Sequence, residues 1–297
     1  MKTKIKSTIL LFLTAIIWGF AFVAQRVGAE FVGAFTFNGI RFLLGACSLI
    51  PVILIFEKEK FNISKFKKTI MPGILAGVIL FIASTLQQYG VEITKSAGKA
   101  GFLTGLYIVL VPLIRFVMGK KTSIFTFFGA IFALIGLFFL CMTGDEVSFG
   151  IGDIVLIIGA FFWAGHILVV DKYVNDISPL KFSLVQFLVC GLLSIICALI
   201  LEDMSFVAIK GAGIPILYGG LMSVGVAYTC QILGQKDSDP TFASIVFSTE
   251  SVFSAIGGAI ILNEIMSGRG YLGCVLIFIG IILSQLDMKI FKKKCEK

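Results

Sequence analysis

The chain has 297 residues, of which 58% are hydrophobic and 14% charged, with a formal net charge of +8. A soluble domain carries roughly 25% charged residues, so this composition excludes an ordinary water-facing globule. The positive charge does not mark a nucleic-acid binder, because the basic residues collect in loops and at both ends and form no patch interleaved with aromatics.

Ten apolar runs follow one another, at 7–29, 35–56, 70–90, 98–118, 123–141, 150–170, 180–201, 213–234, 241–262 and 269–288. Their lengths suit helices that cross a bilayer. They are apolar on all sides, without the alternation of a barrel strand. The fold class expected is an all-α integral membrane protein of ten transmembrane helices. The first run follows Lys2, Lys4 and Lys6, like a signal peptide, but outruns an h-region of about 7–15 residues and is read as a retained helix.

Polar and aromatic groups at membrane depth are costly against lipid, so they are candidates for a transport pathway. The first run offers Trp18, Phe22 and Gln25 at i, i+4 and i+7, on one face. Trp18 has two readings, a pathway wall or a side chain packed between helices. The second run holds Arg41, expected to snorkel or to pair within the bundle. The third holds Ser84, Thr85, Gln87 and Gln88; adjacent glutamines point about 100° apart, so one faces a cavity, and Gln88 is the candidate. The fourth carries Thr104 and Tyr107, and Pro51 and Pro112 are expected kink sites in the second and fourth.

The sixth run contains Trp163 and, three residues on, His166, the one histidine of the chain. His166 is either a pathway group or a hydrogen-bonded core residue. The eighth offers Tyr228 and Gln231. The ninth has Ser244, Phe247, Ser251 and Ser254 as a stripe of mostly small residues for close packing. Glu250, near its middle, either needs an internal partner or carries a proton or meets a cationic group. No catalytic or metal-binding set stands out, and the seven cysteines include no CxxC pair, so disulfides, zinc and other cofactors are not expected.

Placing the N-terminus in the cytoplasm puts 19 of the 25 Lys and Arg residues on inner segments and five on outer ones, with Arg41 inside a helix. That bias supports both termini inside. The halves also match each other. Trp18 aligns with Trp163, Ala15 with Ala160, Phe37 with Phe182 and Phe42 with Phe187; further on, Gly129 and Gly136 align with Gly273 and Gly280, and Lys120 with Glu264. Repeats of five helices must be inverted, since five is odd. The expected domains are 1–142 and 150–288, with a cytoplasmic basic tail at 289–297.

TAIIWGFAFVAQRVG and FTFNGIRFLLGACSL in the first half, with TKSAGKAGFLTGLYIVLVPLI after them, resemble EamA-type carriers of the drug/metabolite transporter superfamily. TFASIVFSTESVFSAIGGAIILNEIMSG resembles their ninth-helix segment. That segment is usually written around Glu-Pro and a later Gly-Glu; here it reads Glu250-Ser251 and Asn263-Glu264. The resemblance implies ten helices in inverted repeats and export or exchange of small organic metabolites, such as amino acids or related compounds. The expected setting is the bacterial cytoplasmic membrane, with a small-molecule substrate and the lipid bilayer as partners and no nucleic acid. Proton coupling through Glu250 or His166 is an option, as is uncoupled exchange. A membrane enzyme would need a cluster of His, Asp or Glu, and a channel would need charged rings or carbonyl loops; neither pattern stands out. The absence of a GxxxxGK[ST] stretch argues against ATP coupling within the chain.

Overall fold

In hydrocarbon every backbone N–H and C=O must be satisfied within the chain, and an apolar run meets that demand as helix. The computed structural model describes residues 2–56, 63–95, 97–120, 123–141, 150–262 and 267–295. Lys58, Lys60, Lys121 and Lys297, most of the acidic stretch 144–153, and the Asn263-Glu264 pair lie outside the described residues. The helices are α1 (Lys2–Gly28), α2 (Ala34–Phe56), α3 (Ile63–Thr94), α4 (Ala97–Thr104), α5 (Tyr107–Val117), α6 (Ile124–Cys141), α7 (Ile151–Tyr173) and α8 (Pro179–Leu201). They continue with α9 (Phe206–Gly211), α10 (Gly213–Leu217), a π-helix (Tyr218–Tyr228), α11 (Thr229–Gln235), α12 (Pro240–Phe247), α13 (Glu250–Leu262) and α14 (Gly268–Cys295). No strand occurs among the described residues.

Eight stretches of the described residues are long and apolar enough to cross a membrane, and Ile124–Leu140 and Gly268–Ser284 are shorter apolar helices. The burial pattern is that of a membrane protein. Large apolar side chains such as Leu54, Ile200 and Ile214 lie exposed, while Gln25, Arg41, Gln88, His166 and Glu250 lie inside. Lipid, not water, is the solvent that makes this arrangement stable.

Three runs are interrupted. The fourth breaks between α4 and α5, and the ninth between α12 and α13. The backbone bonds through the two breaks repeat each other 143 residues apart. Leu106, Ile108, Val109 and Leu110 donate to Leu103, Gly105, Leu106 and Leu106; Thr249, Ser251, Val252 and Phe253 donate to Val246, Ser248, Thr249 and Thr249. Each break is a short passage of i→i+3 bonding. In the ninth run the hydroxyls of Ser248 and Thr249 donate back to Ile245 O and Val246 O, which competes with regular helix winding. The third interruption is the π-helix, whose sequence YGGLMSVGVAY lets other helices approach closely: Gly220 abuts Leu44 and Gly225 abuts Ser48. The last helix runs on to Cys295, through most of the stretch expected as a tail.

Helix ends follow familiar chemistry. Gly119, at φ +74°, closes α5 in a Schellman motif, with Lys120 N donating to Arg115 O and Gly119 N to Phe116 O. The Glu202 carboxylate, just past the end of α8, accepts from Phe35 N, Thr36 N and Thr36 Oγ1 at 2.7–2.8 Å, capping the start of α2. At the opposite end of the bundle Ser7 Oγ donates to Gly234 O, and Arg115 pairs with Asp239, which also caps α12 through Thr241 N.

α6 and α14 run antiparallel and pack backbone to backbone. A methyl added at Gly273 would sit 2.5 Å from Gly136 O and 2.6 Å from Leu140 N; one at Gly280 would sit 2.5 Å from Gly129 O. Backbone atoms cannot swing aside as a side chain can. Gly273→Val is therefore expected to cost at least about 1–3 kcal/mol, read as a lower unfolding midpoint of the purified protein in detergent. Gly268→Ala, with nothing within 4 Å of the added carbon, is the control and should stay within about 0.5 kcal/mol.

Candidate functional site

A cavity lies among α1, α2, α3, α4, α5, α7, the π-helix and α13, within about 380 Å³ of space that includes its opening to the outside. Its wall includes Trp18, Phe22, Gln25, Thr104, Tyr107, Trp163, Tyr228 and Glu250, together with Ala21, Arg41, Gln87 and Ser223. Helical spacing puts Trp18, Ala21, Phe22 and Gln25 on one face of α1, and that face borders the space.

Aromatic rings cluster around Trp18. Its ring centroid lies 4.8 Å from Tyr228, 5.4 Å from Phe247 and 6.4 Å from Trp163, while Trp163 stacks on Tyr228 at 6.4 Å and 20°. Such tilted and offset arrangements are favourable for aromatic quadrupoles. Trp18 Nε1 donates to Ser223 O at 3.4 Å, Tyr218 OH to Ile17 O at 3.0 Å and Thr14 Oγ1 to Ala227 O at 3.0 Å. These bonds tie α1 along the π-helix. Two members of each half meet here, since Trp18 faces Trp163 and Phe42 lies 6.2 Å from Phe187.

The charged groups sit at helix interruptions or deep in helices. Tyr107 is the first residue after the break in the fourth run, and Glu250 the first after the break in the ninth. Tyr107 OH donates to Glu250 Oε1 at 2.8 Å, so the two breaks are linked directly. Arg41 is 2% exposed, with Nε donating to Asn38 Oδ1 at 2.9 Å and the guanidinium 4.9 Å from the Phe42 ring centroid.

The family comparison adds to this geometry. The model of the EamA-like transporter family matches residues 5–142 and 150–286. The chain belongs to the EamA-like transporter family. It is thereby placed in the drug/metabolite transporter superfamily. An uncharacterized transporter of Archaeoglobus fulgidus is 26% identical over 279 residues, covering 92% of this chain and 84% of that protein. The uncharacterized transporter YoaV of Bacillus subtilis is 23% identical over 276 residues, covering 91% and 93%. A crystal structure at 17% identity superposes with a TM-score of 0.78 over 96% of this chain and 98% of that one, which shows the same fold.

Three of the sequence candidates of this EamA-family chain lie outside the cavity wall. Gln88 donates instead to Gln25 O at 3.2 Å, while its neighbour Gln87 lines the space and donates to Gln25 Oε1 at 3.0 Å. His166 shares a hydrogen bond of 2.9 Å with Gln186 Oε1, and its ring stands edge-on to Trp163 and Tyr228. Gln231 donates to Gln235 Oε1, whose amide donates to Ile167 O, so that pair fastens α11 to α7. Snorkelling or an ion pair is the expectation for Arg41 from the sequence, yet its side chain borders the cavity, and no carboxylate lies within ion-pair distance among the described residues.

Proposed function

We propose that this protein is a secondary transporter, an exporter or exchanger, that moves small organic metabolites such as amino acids or related compounds by alternating access. The observation that carries the reading is the cavity itself: it lies among the helices of an all-helical bundle and is bordered by residues at two equivalent helix breaks. Discontinuous helices at mid-depth are a recurring feature of secondary-transporter binding sites. The relatives' description as transporters supports carriage over an enzymatic role.

Two inverted five-helix repeats, 1–142 and 150–288, supply the moving parts in this reading, with 289–297 as a basic tail. Supporting it are the matched bonding at the two breaks, the meeting of Trp18 with Trp163, and the glycine crossings of Gly129 with Gly280 and Gly136 with Gly273. Both termini lie in the cytoplasm and the membrane is the bacterial cytoplasmic one. The contacts of Ser7 with Gly234 and Arg115 with Asp239 then close the inner end. The cavity, bordered by the part of α1 from Trp18 to Gln25, then faces the outer half. Glu250 or His166 carries the coupling proton where transport is coupled.

The test is counterflow. Purified protein in vesicles preloaded with an unlabelled metabolite should accumulate its labelled form transiently and saturably. Chemical conversion of a compound without flux across the panel would overturn the carrier reading.

A further inference from the structure

The cavity wall carries hydrogen-bond donors that lack protein acceptors, Arg41 foremost among them. The guanidinium carries five N–H donors. Among the described residues its one hydrogen bond is from Nε to Asn38 Oδ1. Glu250, the acidic group of the same wall, is not within ion-pair distance of it and already accepts from Tyr107 OH. The terminal N–H groups therefore have no protein acceptor, although the residue is 2% exposed.

Its surroundings hold it in place. The guanidinium lies over Phe42 at 4.9 Å and Phe37 at 5.4 Å, both favourable cation–π placements. Gly219 leaves room for the stem, since a methyl there would lie 3.2 Å from Arg41 Cδ. Asn38, 0% exposed, orients Nε, and its own amide nitrogen has no acceptor. On the wall, Trp163 Nε1 is also buried without an acceptor. A buried charge held rigidly and left unpaired is costly unless something else completes it.

We propose that Arg41 is an anion subsite and that the substrate of this cavity bears a carboxylate. A carboxylate matches the planar fork of the guanidinium with two parallel hydrogen bonds. Trp18, Phe22, Trp163 and Tyr228 give the wall aromatic faces for a compact apolar body, beside the polar groups Gln25, Gln87, Thr104, Tyr107, Ser223 and Glu250. This inference rests on the cavity being the transport site, and it narrows the substrate to organic acids, zwitterions included.

The chain contains two tryptophans, and both border the cavity. Binding can therefore be read from intrinsic fluorescence of the full-length protein in detergent, without flux. The probes are matched acid and amide pairs, isovalerate with isovaleramide and phenylacetate with phenylacetamide, plus L-leucine and inorganic phosphate. At least one acid should give a saturable change and bind tenfold or more tighter than its amide, the range expected of a charged bidentate pair. Arg41→Gln should remove that preference, and Arg41→Lys should keep part of it. Equal binding of acids and amides, a response to phosphate alone, no saturable response to any acid, or an unchanged preference in Arg41→Gln would overturn the proposal. The wild-type acid–amide comparison stands even if the variants do not fold. Counterflow separates the two readings: flux of amides without acids leaves a carrier and removes the carboxylate, whereas acid binding without flux leaves the subsite and removes the carrier.

Discussion

Vesicles containing Trp18→Ala are expected to show at least about a hundredfold less saturable flux than wild type, equivalent to roughly 3 kcal/mol. Trp18 touches Tyr228, Phe247 and Trp163, three rings from three different elements, and its indole N–H bonds a carbonyl of the π-helix. Truncating it removes an aromatic border of the cavity and one attachment of α1 to the π-helix at once. Loss of a tryptophan from a packed cluster also costs about 3–5 kcal/mol of stability, so the variant must be checked for a monodisperse fold. Trp18→Phe keeps a ring and loses only the bond to Ser223, and should retain flux within about tenfold, the worth of one hydrogen bond. Trp163→Ala, opposite Trp18 in the same cluster, should resemble Trp18→Ala. Two alanine variants that fold normally and keep flux and affinity would show that these tryptophans merely pack.

The sequence exposed the helices because hydrocarbon leaves a chain few options. Apolar runs with no alternation must be helical, and most of the observed helices start and stop near the expected positions, although α3 begins at Ile63 and α14 runs on to Cys295. It also exposed one wall of the cavity, since Trp18, Phe22 and Gln25 share a face by spacing alone. Faces of other helices were less legible. Gln87 and Gln88 are about 100° apart on a helix, and nothing in their identity tells which turns inward. The neighbouring helix decides it, as the carbonyl of Gln25 takes Gln88 and leaves Gln87 to the cavity.

Arg41 illustrates a second limit. Depth in a helix implies a need for company, but which company depends on tertiary packing, here Asn38 and two phenylalanines. His166 lies three residues from Trp163, yet Gln186 of α8 and Tyr228 of the π-helix occupy its surroundings. Gln231 sits about 60° round the helix from Tyr228, enough to point it at Gln235. The interruptions leave partial marks in the sequence. Gly105, whose added methyl would lie 2.9 Å from Leu137 Cδ1, and the Ser248–Thr249 pair mark the two breaks. The π-helix has no such marker beyond its density of glycine, because wider winding is settled by contacts with α1 and α2.

Glu250→Gln is expected to uncouple the carrier without unfolding it. The Glu250 carboxyl is 5% exposed and held by Tyr107 OH at 2.8 Å. A glutamine oxygen can accept the same bond, so packing at the junction of the two breaks survives. What disappears is the ability to gain and lose a proton. The titratable or charged groups that share the cavity with Glu250 are Tyr107 on α5, Arg41 on α2 and Tyr228 at the end of the π-helix; α1 contributes only Trp18, Ala21, Phe22 and Gln25. Flux driven by an imposed pH gradient should therefore fall to the level without a gradient, while counterflow at fixed pH stays within about tenfold of wild type, as for a change that spares most binding contacts. Tyr107→Phe separates position from protonation: it leaves the buried carboxyl without its partner, costs about 1–3 kcal/mol, and should lower counterflow and gradient-driven flux together. Glu250→Gln with wild-type gradient dependence would remove Glu250 as the coupling group. His166→Gln, tested in the same vesicles, would then decide whether the remaining candidate carries the proton or whether exchange is uncoupled.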